Sequence, residues 1–414
     1  MEHIPILIFQ MAVILICAKI FGELFHSFLK LPSVLGELLA GLIISPFALG
    51  GIKIGNLGPL FSFDVSHGNY ISTELFFISQ LAAVILLFEV GLETNRDQFK
   101  KYITPASLVA LGGVVLPFGL GVLATILFGY SSFNSINELV PALFMGAMLT
   151  ATSVGITARV LSDLGVLDNP EGSTIMAAAV LDDVLGIIVL AAVVGIAQDG
   201  QLTLSSLIII FVKAVGFWLS LLVLGSILSK VISNFIMSFK VPGANISLSL
   251  ALALLAASIA EHYFGLAMII GSYTFGLALS GTDLKHHIEK PLSNINAWLV
   301  PVFFVVIGMQ ADFVSLWTNS GDVLSVLFFV ITVTVFAILS KILGCGIPTL
   351  LIGFSRKQAW RIGVGMLPRG EIALIIAGIG MSTGVIGQEL FGVSIIMIIV
   401  TTILAPVLLY QSYK

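Results

Sequence analysis

Charge is scarce in this chain. Its 414 residues include 18 Lys and Arg and 22 Asp and Glu, so only 10% of positions are charged. Soluble domains carry roughly 25%, and a surface bathed wholly in water is excluded. Cysteine is scarcer still. Cys17 and Cys345 are the two, and both lie in apolar stretches. That rules out a disulfide framework or a cysteine-based zinc site. The formal net charge of −4 singles out no charged partner, and no nucleic-acid partner is expected. The first 24 residues lack a basic leader and a small-residue cleavage motif, so a retained first helix is expected there, not a signal peptide.

What is plentiful is hydrocarbon. Hydrophobic residues make up 58% of the chain, the composition of an all-α integral membrane protein. About thirteen apolar stretches approach the ~20 residues needed to cross a bilayer. They fall near 4–24, 34–54, 75–94, 105–130, 140–163, 172–198, 204–230, 244–261, 265–281, 293–311, 323–351, 358–382 and 388–410. With the N-terminus outside, nearly all loop Lys and Arg face inward and only Lys53 faces outward. This positive-inside pattern places the C-terminus in the cytoplasm and the protein in the cell inner (cytoplasmic) membrane, with its lipids as partners.

Against that background Asp182 and Asp183 stand out, adjacent acids in a stretch otherwise free of charge from Ser173 to Ala191. Acids at membrane depth are costly and face a cavity, a counter-ion or a transported ion. Lys341 and Arg369 each lie about 11 residues from the inner end of their span, roughly 16 Å at helical rise. Asp182, Asp183, Thr152 and Ser153 come out at the same level, near the midplane of a ~30 Å core. Lys19 and Lys213 are buried in spans without an obvious partner.

Two of these spans are poor regular helices. One contains Leu149-Thr-Ala-Thr-Ser-Val-Gly, the other Gly363-Val-Gly-Met-Leu-Pro-Arg-Gly-Glu. Unwound backbone at this depth is tolerated where it lines a cavity, and freed carbonyls and half-helix ends can then hold ions. The two spans take corresponding places in two six-span halves of opposite sense, separated by the span at 204–230. That is the pattern of an inverted-topology repeat with two discontinuous helices. Glu371, two residues after Arg369, is placed to neutralise it or a helix end.

Neighbouring residues on a helix project about 100° apart, so the two aspartates take different surroundings. One can face a water-accessible cavity and the other a cation, for which Lys341 is the lysine at the right depth. A carboxylate in a cavity binds protons or a hard cation such as sodium, and competition between them yields exchange. Other acids give a weaker signal. Glu37 and Glu89 lie near membrane ends, where structural roles weigh at least as much as transport roles. Asp163, Asp168 and Glu171 read as a solvated loop at the inner mouth, and His286 and His287 occupy an inward loop where they could sense pH. Gly344-Cys-Gly346 lacks the third glycine of a dinucleotide fingerprint and is discarded.

The ordered set Leu35-Gly-Glu-Leu-Leu-Ala-Gly, Leu87-Phe-Glu-Val-Gly-Leu-Glu, Thr150-Ala-Thr-Ser-Val, Leu181-Asp-Asp, Phe303-Phe-Val-Val-Ile-Gly-Met, Lys341-Ile-Leu-Gly and Pro368-Arg-Gly-Glu resembles the bacterial monovalent cation:proton antiporters. It is most similar to their NapA-type sodium/proton branch. The resemblance implies a homodimer with a dimerisation or scaffold domain (1–95 and 244–320), a core ion-transport domain (96–198 and 321–414) in which the two discontinuous helices cross, and a linker helix (199–243). It assigns the sodium site to Asp183 and pairs Asp182 with Lys341, with Thr152, Ser153, Pro368, Arg369 and Glu371 in the unwound support. It further implies no enzyme activity and no cofactor beyond the transported sodium or lithium and protons. Two aspartates in this position imply electrogenic exchange. Potassium-efflux relatives carry a cytoplasmic nucleotide-binding domain after the last helix, and the chain's stop at Lys414 is read as pointing away from them. Potassium/proton exchange and, more remotely, sodium-coupled organic-anion symport are the alternatives.

Overall fold

The computed structural model describes residues 3–29, 31–53, 58–61, 71–199, 204–310 and 323–414. Among them the chain is helical, with no β-strand beyond one isolated bridge between Lys53 and Pro59. Fifteen α-helices follow in order: α1 (His3–Glu23), α2 (Ser33–Ile43), α3 (Thr73–Glu93), α4 (Arg96–Leu127), α5 (Ile136–Thr150), α6 (Val154–Asp163), α7 (Pro170–Asp199), α8 (Leu204–Met237), α9 (Ala244–Phe264), α10 (Met268–Leu279), α11 (Leu284–Met309), α12 (Val323–Leu351), α13 (Arg356–Gly365), α14 (Glu371–Ser382) and α15 (Gln388–Tyr413).

The helices begin where polar side chains cap free amides. Asn95 accepts from the amides of Asp97 and Gln98 ahead of α4, and Ser135 accepts from Glu138 ahead of α5. Ser355 and Gln358 form a reciprocal capping box at α13. Ten segments among the described residues are long and apolar enough to cross a membrane, counting 138–163, which runs through the break between α5 and α6.

The expected spans at 34–54 and 265–281 are shorter helices than expected. α2 has 11 residues and stops ahead of Ser45-Pro46, because proline disfavours helix in the residue before it. α10 has 12 residues and starts after Gly265, whose left-handed φ of 68° ends α9. His286 and His287 are on the first turn of α11, which starts at Leu284 and extends the helix through the expected loop.

Packing divides the helices by neighbour. α3 lies against α10 and α11, and α11 against α2, while α4 lies against α12, α7 and α5. The α3–α10 contact is close enough that a Cβ on Gly91 would fall 2.2 Å from the Tyr273 carbonyl oxygen, so only glycine fits. Large apolar side chains stay exposed on the outer helices, among them Ile16 and Ile20 of α1 and Ile227 and Val231 of α8. Water would oppose that arrangement and acyl chains satisfy it.

Candidate functional site

The helical run of α5 ends at Thr150, and residues 151–153 are extended before α6 begins at Val154. A second interruption separates α13, which ends at Gly365, from α14, which begins at Glu371. The two breaks meet. The Ser153 amide donates to the Pro368 carbonyl at 2.7 Å. The Thr157 hydroxyl donates to the Gly365 carbonyl at 2.6 Å, and the Thr152 hydroxyl lies 3.3 Å from that of Met366. Carbonyls left over at the end of α13 are thus taken up by hydroxyls from the opposite break. Gly370 permits the approach, because a Cβ there would lie 2.7 Å from Ser153 Oγ.

Arg369 lies in the second break, wholly buried. Its Nη2 and Nε donate to the Leu149 carbonyl at 2.7 and 3.2 Å, Nη2 also reaches Ala337 O at 3.1 Å, and Nη1 reaches Leu367 O at 3.2 Å. Leu149 is in the last turn of α5, so the guanidinium sits on the negative end of that half-helix. The Arg369 carbonyl accepts from the Thr402 hydroxyl of α15.

The acid pair lies on α7, with Asp182 and Asp183 each 2% exposed. Lys341 of α12 is fully buried, and its Nζ lies 3.1 Å from Asp182 Oδ1 and 3.2 Å from Oδ2. Thr152 also hydrogen-bonds the Asp182 side chain, which ties the ion pair to the break after α5. A buried pair of this kind adds little net stability, yet removing one partner is costly because the other is stranded.

The structure therefore brings Asp182, Lys341, Thr152, Ser153, Pro368 and Arg369 together, with Asp183 one position further along α7. Glu371 opens α14, and its side chain lies outside the described residues. No group of three or more His, Cys, Asp or Glu could hold a metal ion among the described residues. A narrow, partly open pocket adjoins Thr402 between α2, α11, α14 and α15, but its lining of Leu38, Leu42, Ile307, Ile395 and Ile398 offers an ion few ligands.

Several expectations change. Glu171 is not in a solvated loop. It is 4% exposed in the first turn of α7 and accepts from Arg361 of α13 at 2.7 Å. Asp168 accepts from the Asn95 amide at 2.8 Å, and Asp163 pairs with Arg159 at 3.2 Å. Lys19 has a partner in the Ala297 carbonyl at 2.7 Å, whereas Lys213 is on the exposed face of α8. Glu89 accepts from Asn296 at 2.5 Å. Sequence reasoning missed Gly113 of α4, which borders the ion pair. A Gly-x-x-x-Pro pattern is shared by α4 and α12, but by itself it does not single out this glycine.

Comparison with known proteins supplies the context. Residues 12–410 match the family model described as sodium/hydrogen exchanger, transmembrane. Over 406 residues the chain is 34% identical to the Na(+)/H(+)-K(+) antiporter GerN of Bacillus cereus, covering 98% of this chain and 96% of that protein. It is 35% identical to the high-affinity Na(+)/H(+) antiporter NhaS3 of Synechocystis, covering 96% and 87%. The solved sodium proton antiporter MjNhaP1 of Methanocaldococcus jannaschii superposes with a TM-score of 0.71 at 17% identity, over 100% of this chain and 99% of that one. At that identity the likeness concerns the fold alone.

Proposed function

The chain belongs to the sodium/hydrogen exchanger family, and from that premise we propose that it is an electrogenic sodium (or lithium)/proton antiporter working by alternating access. It is a multi-pass membrane protein that exchanges monovalent cations for protons, not an enzyme. The observation that carries the finer reading is the buried Lys341–Asp182 pair beside Asp183, where two interrupted helices meet.

Asp183 is the carrier. Its carboxylate offers the hard oxygen ligands sodium prefers, and cation and proton compete for it. Asp182 takes a proton when it releases Lys341, and the two acids titrate as one coupled system. Two protons exchanged per sodium ion leave net charge moved. A membrane potential then drives sodium out with about 2.3 kcal/mol per charge per 100 mV. Residues 96–198 and 321–414 form the moving core, 1–95 and 244–320 the scaffold of a homodimer, and 199–243 the link between them. Thirteen crossings, related by an inverted repeat, leave the N-terminus outside and the C-terminus in the cytoplasm.

Potassium is the second reading, favoured by the similarity to a relative named for both sodium and potassium. Organic-anion symport loses its anchor, because the donors of Arg369 are directed to backbone carbonyls. Proteoliposomes holding a pH dye separate these readings. Sodium or lithium added outside should make the lumen more alkaline, with a smaller response to potassium. A larger potassium response would select the second reading, and no response to any of the three would sink antiport.

A further inference from the structure

α4 and α12 carry the same five-residue pattern, Gly113-Val-Val-Leu-Pro117 and Gly344-Cys-Gly-Ile-Pro348. Proline has no amide hydrogen, so each removes the donor that would bond the carbonyl four residues earlier. Those carbonyls belong to Gly113 and Gly344, where the two helices touch. A Cβ on Gly112 would fall 2.0 Å from the Gly344 carbonyl oxygen, and one on Gly344 would fall 2.4 Å from that of Gly112. Backbone meets backbone here, which glycine alone allows.

Gly113 is buried and faces the ion pair. A Cβ at this position would lie 2.7 Å from Cys345 Sγ, 3.4 Å from Lys341 Nζ and 3.6 Å from Asp182 Oδ1. Lys341 and Cys345 are one turn apart on α12, both fully buried. The sulfur therefore occupies the space that a side chain at 113 would take, and the ammonium borders it in van der Waals contact.

We propose that Gly113 is a positioning residue for the Asp182–Lys341 pair, its missing side chain letting Cys345 and the ammonium rest against α4 and so setting how readily the pair parts during transport. The inference rests on the reading of Asp182 and Lys341 as the charge-coupling pair. A methyl group at 113 has to displace the sulfur, and the sulfur lies one turn along α12 on the side of the ammonium, through which the displacement is passed to the pair. Alanine is a better helix former than glycine, so loss of helix in α4 would not account for a defect.

The test is a double-mutant cycle in proteoliposomes. Gly113→Ala is made in the native chain and in a Cys345→Ala background, and the pH profile of sodium-driven proton movement is recorded for each, with Lys341→Gln alongside. In the native background Gly113→Ala should move the profile's midpoint by about half a pH unit or more. In the Cys345→Ala background the new methyl takes the place of the sulfur, and the shift should fall below about a fifth of a unit. A merely structural fault would reduce the amount of transport without moving the midpoint. If Gly113→Ala alone yields no folded protein, the inference requires the double variant to fold and to match the midpoint of Cys345→Ala; failure of either overturns it. Equal shifts in both backgrounds overturn it too. So does an unmoved Gly113→Ala profile when Lys341→Gln moves its own, and the charge-coupling reading then stands. A Lys341→Gln profile identical to the native one overturns that reading and this inference with it.

Discussion

Replacing Arg369 by glutamine removes a charge from the point where the two interrupted helices join, and the cost can be worked from the contacts. The guanidinium satisfies the carbonyls of Leu149 and Ala337, which belong to two other helices, and that of Leu367 in its own segment. A buried carbonyl left without a donor costs about 1–3 kcal/mol. Glutamine is too short, and too poor in donors, to serve the two distant carbonyls together, so the loss should reach about 2–6 kcal/mol before relaxation. Part of it falls on α5, whose negative end loses its countercharge. Lysine at the same position keeps the charge but not the planar fork, and should restore only a fraction. Thermal unfolding of the detergent-solubilised protein, followed by tryptophan fluorescence, measures this. The expected order of stability is native, then Arg369→Lys, then Arg369→Gln, with Arg369→Gln several degrees below native. An unfolding midpoint for Arg369→Gln within about 1 °C of native would refute the idea that this side chain holds the helix ends, given that a loss of this size shifts even large domains by several degrees.

Three further outcomes follow from the same geometry. Lys341→Gln strips Asp182 of its cation, so the pH profile of exchange should move, and with it the charge moved per turnover, while sodium-driven exchange survives; current and flux measured together across pH check this. Gly370→Ala drives a methyl group to 2.7 Å from Ser153 Oγ and should cut the exchange rate by about tenfold or more, equivalent to at least ~1.4 kcal/mol on the barrier. Glu171→Ala frees Arg361 at the start of α13, and, because the pair is only partly exposed, should lower the unfolding midpoint while leaving sodium affinity, read from the concentration dependence of transport, unchanged.

The parts of this structure legible in the sequence are those where a polar or helix-breaking residue interrupts hydrocarbon. Thr150-Ala-Thr-Ser and Leu367-Pro-Arg-Gly could be placed as breaks because bilayer helices otherwise leave no reason for them. Helical rise alone brings Lys341 and Asp182 to one depth, and the structure places them in contact at 3.1 Å. The partners of Arg369 were not legible, since a backbone carbonyl is present at every residue and marks no position. Nor was Glu171. Its neighbour Pro170 reads equally well as loop or as the first residue of a helix, and Arg361 comes from a segment 190 residues away. Gly113 was hidden for a different reason. Among 41 glycines, its importance depends on what lies opposite, which only the packing of α4 on α12 supplies.

The central claim is that Asp183 carries the ion in electrogenic sodium/proton exchange. The direct measurement is the current from proteoliposomes adsorbed on a solid-supported membrane after a sodium concentration jump, for the native chain and for Asp183→Asn. Net charge moved by the native protein and none by Asp183→Asn is the expected result. A sodium-driven current that persists in Asp183→Asn would contradict the account.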